Sequence, residues 1–126
     1  MTSVPTFRIT VGIESHLRRG QVEEIPGVLV DTGADATWIP RSVLERLGIR
    51  PERKEKYKTA TGETVEREVG YAIVHAAGRE CNDHVVFGEP HDTLILGARS
   101  LDGLNVKVDT KEMRLVDAGP IIAAVA

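Results

Sequence analysis

A chain of 126 residues with 41% hydrophobic composition falls in the usual size range of one compact domain around one core, so residues 1–126 are expected to form a single domain. Its formal net charge of -3 and sequence pI of about 5.8 offer no general attraction to phosphate or anionic lipid, which argues against nucleic-acid and membrane-surface partners. The one basic stretch, Arg50, Arg53, Lys54, Lys56 and Lys58, is interleaved with Glu52 and Glu55 and has no aromatic platform beyond Tyr57, so it reads as a solvated face. Cys81 is the only cysteine; an intrachain disulfide is excluded, and a reducing, cytoplasmic compartment is the simpler expectation. The first residues show neither a basic nor an apolar leader segment, and no stretch reaches membrane-spanning length.

In chain order, Phe7, Ile9, Val11 and Ile13 alternate with polar or small residues, the period of a strand with one buried face. The polar run from Glu14 to Glu24, with Gly20 near its middle, reads as a long hairpin connection. Ile25 to Val30 is then a more continuously apolar strand interrupted by Pro26 and Gly27. Thr37-Trp38-Ile39 is again β-like, and Pro40 to Leu47 reads as a short helix with Val43, Leu44 and Leu47 on one face and Gly48 as its stop. From Glu55 to Val74, two polar arms flank Thr59-Ala60-Thr61-Gly62-Glu63, a hairpin whose turn uses Gly62 and whose sparse apolar contacts suit a lid. Tyr71 to Val74 and Val85 to Phe87 are further strands, separated by a turn at Gly78 and the polar segment Glu80 to His84. Thr93 to Gly97, a helical turn over Ala98 to Asp102 closed by Gly103, and strands at Leu104 to Val108 and Met113 to Val116 complete the pattern. The apolar tail Ile121 to Ala126 is too short to span a bilayer and is expected to be buried against protein.

The chemistry centres on Asp31, placed at the end of the apolar run Val28-Leu29-Val30 and followed by Thr32 and Gly33. An acid there is carried by a rigid strand yet exposed in a loop. Gly33 lets backbone and substrate approach, and the Thr32 hydroxyl can bond across a close contact. Hydrolysis by carboxylates alone needs two of them in different protonation states, one as base toward water and one as acid toward the carbonyl.

Asp31-Thr32-Gly33-Ala34-Asp35 after an apolar strand, with Leu94-Ile95-Leu96-Gly97 downstream, resembles the retropepsin family of retroviral-type aspartic proteases. The segment Val108-Asp109 followed by Arg114-Leu115-Val116 makes it most similar to the bacterial and archaeal members. The resemblance implies a mainly β, closed-barrel acid protease fold with one or two short helices. It further implies Asp31, Thr32 and Gly33 as the catalytic residues and a flap built on Ala60, Thr61 and Gly62. Thr32 would grip its counterpart across a twofold axis, and Leu96 and Gly97 would brace the catalytic loop. Because the motif occurs once, the second carboxylate has to come from a second copy of the chain, so the expected enzyme is a homodimeric aspartic endopeptidase acting on peptide or unfolded protein, with no metal and no cofactor. Carboxylates sharing one proton are the general example of this chemistry.

Ala34 lacks the hydroxyl that a Ser or Thr would offer to the dyad's ionised form, so a mildly acidic optimum is expected. Retroviral members place Arg directly after the apolar-apolar-Gly, whereas Ala98 stands here and Arg99 follows, leaving an Asp35–Arg99 ion pair open. Other readings coexist with these. Asp31-Thr32-Gly33 would also serve as a strand-ending turn, Asp35 as a capping acid or a substrate-backbone ligand, and Trp38 as core or as the wall of a substrate pocket. Cys81, His75, His84 and His91 have the chemistry for a thiol or metal site but match no strong ligand spacing. The alternative to an enzyme is a dimerisation or peptide-binding module on the same fold.

Overall fold

The computed structural model describes residues 6–123. Strand β1 (Phe7–Glu14) pairs antiparallel with β2 (Val22–Val30). Ile9 faces Val28 and Val11 faces Ile25, so Pro26 and Gly27 together oppose Thr10 alone. This is a β-bulge, made where proline has no N–H to give the ladder and where Gly27 takes φ +72°. The hairpin connection is shorter than its polarity suggested. Val22, Glu23 and Glu24 are paired with Glu14, Ile13 and Gly12, because solvent-facing polar side chains do not interrupt a backbone ladder.

The chain passes through the Asp31 loop into β3 (Thr37–Pro40) and helix α1 (Arg41–Arg46). Gly48, at φ +76°, donates its N–H to Glu45 while Ile49 bonds back to Leu44, so the helix stops where a left-handed residue is available. Strand β4 (Arg53–Lys58) and β5 (Thr64–Ala76) form the expected hairpin, with Gly62 at φ +87° in its tip.

One segment corrects the sequence reading. Glu80 to His84 does not separate strands but lies within β6 (Arg79–Gly88), paired with β5 from Ala76↔Arg79 to Val69↔Val86. Its polar side chains have specific partners: Asp83 bonds a helix serine, and the Cys81 thiol reaches the Ser100 carbonyl. A second correction concerns the short strand β7 (Ile95–Leu96) and helix α2 (Ala98–Leu104), which takes in Gly103 and ends at Asn105 with φ +54°. A Cβ at Gly103 would lie 2.9 Å from the Cys81 sulfur, so that glycine serves close helix–sheet packing, and asparagine, the other residue tolerant of this conformation, takes the cap. Strands β8 (Val106–Asp109) and β9 (Arg114–Asp117) form a separate two-stranded sheet.

The larger sheet runs β1-β2-β7-β3-β6-β5-β4, and β1 also pairs with β5 through Gly12↔His75, Ile13↔Val74 and Glu14↔Ile73. Six strands thus close into a barrel, with β4 hanging from β5 as the outer arm of the hairpin. Inside lies an aliphatic core in which Val11, Val28, Ile39, Val74 and Leu96 meet Leu44 of α1 and Leu101 and Leu104 of α2. A second, smaller cluster of Ala36, Val69 and Val86, with Trp38 and Tyr57 against it, joins the hairpin arms to the Asp31 side of the barrel.

Lys54, Lys56 and Lys58 are exposed, as a solvated face requires. Among the described residues no helix is long and apolar enough to cross a membrane. The tail departs from expectation within this one chain. Ile121 and Ile122 are 75% and 85% exposed. The rest of the tail, residues 124–126, lies outside the described residues.

Candidate active site

Asp31 occupies the first position after β2, where the strand's parallel pairing with β7 (Leu29↔Ile95, Val30↔Leu96) ends. Its N–H donates to the Leu96 carbonyl at 3.1 Å, so the last ladder bond fixes the backbone that carries the acid. The side chain folds over the turn: Asp31 Oδ1 accepts the Gly33 N–H at 2.9 Å, and Ala34 N–H returns to the Asp31 carbonyl at 3.2 Å. This is the aspartate turn that makes Asp favourable at strand ends. It leaves Oδ2 outside the turn's own bonds.

The segment after β7 holds the loop from the other side. Ala98 N–H donates to the Ala34 carbonyl at 2.8 Å and Arg99 N–H to the Asp35 carbonyl at 3.1 Å. Between them, Gly97 approaches so closely that a Cβ there would meet the Ala36 carbonyl oxygen at 2.4 Å and that of Asp35 at 2.7 Å. Gly97 is in extended backbone, φ -90° and ψ 174°, so this glycine is required by proximity rather than by dihedral. Leu96, fully buried, packs in the core behind the loop. The structure therefore brings Asp31, Thr32, Gly33, Ala34 and Asp35 together with Leu96 and Gly97. Thr32 and Gly33 are exposed on its outer side.

Asp35 and Arg99 do not pair through their side chains. The Arg99 guanidinium lies 3.6 Å from Asp83 on β6 instead, because helix α2 packs on that strand. Asp35 is exposed, and its charge is felt by the Tyr57 phenol and the His84 imidazole. Burial raises the Tyr57 pKa and lowers that of His84, so the phenol is neutral at physiological pH and the imidazole favours its neutral form.

Trp38 is half-buried and packs against the small cluster of Ala36, Val69 and Val86. Its ring meets Tyr57 of β4 edge-on at 5.2 Å and 64°, and Arg67 of β5 lies over its face at 5.9 Å. Arg67 is in turn clamped by Asp92 through two bonds of 2.8 and 2.9 Å. Trp38 is thus the point at which both hairpin arms grip the barrel. The tip itself is open: Ala60, Thr61 and Gly62 are exposed, held by Gly62 N–H to Thr59 at 2.9 Å and by a Thr59–Thr61 hydroxyl contact. Among the described residues no hydrogen bond joins the tip to the Asp31 loop.

The alternative chemistries find little support in the geometry. Burial and the nearby Asp83 push the Cys81 thiol up to about 11, which keeps it protonated at neutral pH and blunts it as a nucleophile. His91 is exposed and lies beside Asp92. Glu14, His75 and Glu80 converge within 4.8 Å of one another, but Arg19 pairs with Glu14 at 3.1 Å and with Glu80 at 3.3 Å. That cluster already contains its cation.

Sequence reasoning passed over a buried polar chain behind the loop: Gly97 N–H to Thr37 at 3.1 Å, Thr37 to Ser100 at 2.6 Å, and Ser100 to Asp83 at 2.8 Å. Its available signal was Ser100 beside Leu101, with Leu96 and Leu104 four residues to either side, and Thr37 one strand period before Ile39.

A closed β-barrel with a strand-end acid braced by an apolar-apolar-Gly segment defines the retropepsin-like class of fold. The family described as gag-polyprotein putative aspartyl protease matches residues 23–102, more than half of the chain, and the chain belongs to it. Among solved structures, it is similar to the simian foamy virus (mac) protease in solution, with TM-score 0.51 and 23% identity over 76% of this chain and 92% of that one. It is also similar to two structures of the foamy viral protease-reverse transcriptase. One is bound to double-stranded DNA (TM-score 0.50, 22% identity) and the other to an RNA/DNA hybrid (TM-score 0.50, 23% identity). In each, 75% of this chain is covered but only 15% and 12% of those longer chains. No curated protein matches.

Proposed function

We propose that this protein is a homodimeric aspartic endopeptidase in which two copies of Asp31, brought together on a twofold axis, form the catalytic group. The observation that carries this reading is the bracing of a lone Asp-Thr-Gly. Asp31 is fixed through its backbone by Leu96 and only partly buried in a loop whose Thr32 and Gly33 are exposed, and the chain contains no second copy of the motif. One ionised Asp31 takes a proton from water while the protonated Asp31 of the other subunit donates to the peptide carbonyl, giving a tetrahedral intermediate without a covalent enzyme adduct. Thr32, exposed beside the acid, is placed to bond across the axis. The exposed tip Ala60-Thr61-Gly62 is free to close over a peptide. Ala34 brings a methyl and no hydroxyl to the loop, and the rate profile should peak at mildly acidic pH; a peak near pH 2 would contradict that assignment. The natural environment proposed is the cytoplasm.

The test compares wild type and Asp31→Asn on an unfolded protein or peptide library, alongside native mass. Cleavage by the wild-type dimer and none by the variant is the expected result, and a statine-type compound should inhibit because it imitates the tetrahedral geometry. Equal cleavage by both proteins would refute the assignment. A tight dimer that cleaves nothing would favour the binding module, which the exposed Ile121 and Ile122 also suit.

A further inference from the structure

Three hydrogen bonds behind the Asp31 loop have only one arrangement of protons. Gly97 can only donate through its N–H, so Thr37 Oγ1 accepts there at 3.1 Å. Ser100 Oγ donates its single hydrogen to Asp83 Oδ2 at 2.8 Å. The 2.6 Å contact between the two hydroxyls must then use the Thr37 hydrogen, with Ser100 accepting. The result is a one-way chain: Gly97 N–H to Thr37, Thr37 O–H to Ser100, Ser100 O–H to the Asp83 carboxylate. Thr37 and Ser100 are both 0% exposed, and the Asp83 side chain is 6% exposed. Asp83 is held by the His84 N–H on its other oxygen at 2.8 Å, with Arg99 at 3.6 Å. In such a dry setting each bond polarises the next, and a break at any point leaves a buried polar group unmatched.

The chain ends at the residue with the least room. Gly97 presses on the backbone of Asp35 and Ala36, and its neighbours Leu96, Ala98 and Arg99 supply the three backbone bonds that hold Asp31, Ala34 and Asp35. Fixing Gly97 therefore fixes the loop. We infer that Asp83, acting through Ser100 and Thr37, is a positioning residue for Asp31, anchoring from strand β6 the segment that sets the height and tilt of the acid. This inference rests on the protease reading above for its kinetic consequence, but its structural consequence stands apart from it.

The experiment uses the full chain and the variants Ser100→Ala, Asp83→Asn, Thr37→Val and Thr37→Ser. Turnover is measured per active site, counted by titration with a tight statine-type inhibitor, so that misfolded protein does not enter the rate. Ser100→Ala, Asp83→Asn and Thr37→Val should lower kcat by about 10- to 100-fold, the scale of a misplacement near 1 Å, with KM changed by less than about threefold. Thr37→Ser, which keeps the hydroxyl, should restore kcat to within about threefold of wild type. In parallel, amide hydrogen exchange at Gly97 and Ala34 should quicken in the first three variants while Val74 in the barrel core stays protected. A merely structural role would lower the titrated site count and leave kcat per site intact. Unchanged kcat per site, or unchanged exchange at Gly97 and Ala34, would overturn the inference. If the wild type cleaves nothing, the protease reading fails on its own, and the exchange measurement still decides whether Asp83 holds the loop. Should one variant fail to fold, the near-isosteric Asp83→Asn and Thr37→Ser keep the comparison open.

Discussion

Replacing Gly97 by alanine isolates the contact on which the site depends. The residue sits at φ -90° and ψ 174°, a conformation alanine adopts freely, so any effect comes from the added methyl and not from the dihedral. That methyl would lie 2.4 Å from the Ala36 carbonyl oxygen, 2.6 Å from its carbon and 2.7 Å from the Asp35 carbonyl oxygen, whereas ordinary contact begins at 3.4 Å. Backbone on one side or the other must withdraw by about 1 Å, and no flexible side chain is available to yield in its place. Overpacking of this kind costs about 1–3 kcal/mol of stability. A shift of about 1 Å in a reacting group costs on the order of 100-fold in rate. Gly78→Ala, in the β5–β6 turn away from the site, is the control: a Cβ there meets nothing within 4 Å, so the variant should lose about 1–2 kcal/mol through its positive φ without slowing cleavage. Peptide cleavage and thermal melting of both variants measure the two effects. Wild-type turnover and melting temperature in Gly97→Ala would refute the claim that this segment sets the position of Asp31.

Three further outcomes follow from the structure. Bonds from the Gly20 N–H, His75 and Arg19 outweigh desolvation and hold Glu14 down at about 2, below its usual 4.5. Because the folded value is depressed, its contribution to stability is present above about pH 4.5 and is lost as pH falls toward 2. Glu14→Gln should lower the melting temperature at pH 7 and converge on wild type near pH 2, and a pH-independent difference would contradict the ion-pair account. Asp92→Ala leaves Arg67, only 13% exposed, without its clamp, and should destabilise the chain by about 3 kcal/mol in urea unfolding; a change below about 0.5 kcal/mol would show the pair to be dispensable. Truncation before Gly119 removes the exposed Ile121 and Ile122 and should raise the dimer dissociation constant measured by sedimentation, while an unchanged constant would remove the tail from the interface.

Much of this was legible in the sequence because local physics and tertiary demand agreed. The alternation through Val11 and Ile13, Gly48 after Leu47 and Gly62 between two polar arms each announce an element that the fold then uses. The failures have a common cause. Within Glu80 to His84, Cys81 and Asp83 answer Ser100 on α2 while Glu80 meets Arg19 and Asn82 is exposed, and no periodicity within the strand reveals a partner some 17 residues away. Gly103 looked like a helix stop because composition cannot distinguish a glycine needed for φ from one needed for closeness to Cys81. At the site, Asp31 and Gly97 could be found from their motifs. The hold of Asp83 and Ser100 on Thr37 could not, since it exists only where β3, β6 and α2 converge.

The claim that one catalytic group is shared by two chains is tested most directly by mixing. Wild type and Asp31→Asn are co-refolded at varied ratios, dimer formation is confirmed by native mass, and cleavage is measured at constant total protein. If both carboxylates are required, activity follows the square of the wild-type fraction and an equal mixture retains about a quarter of it. A linear decline, with about half the activity at equal mixture, would mean that each chain acts alone and would contradict the account.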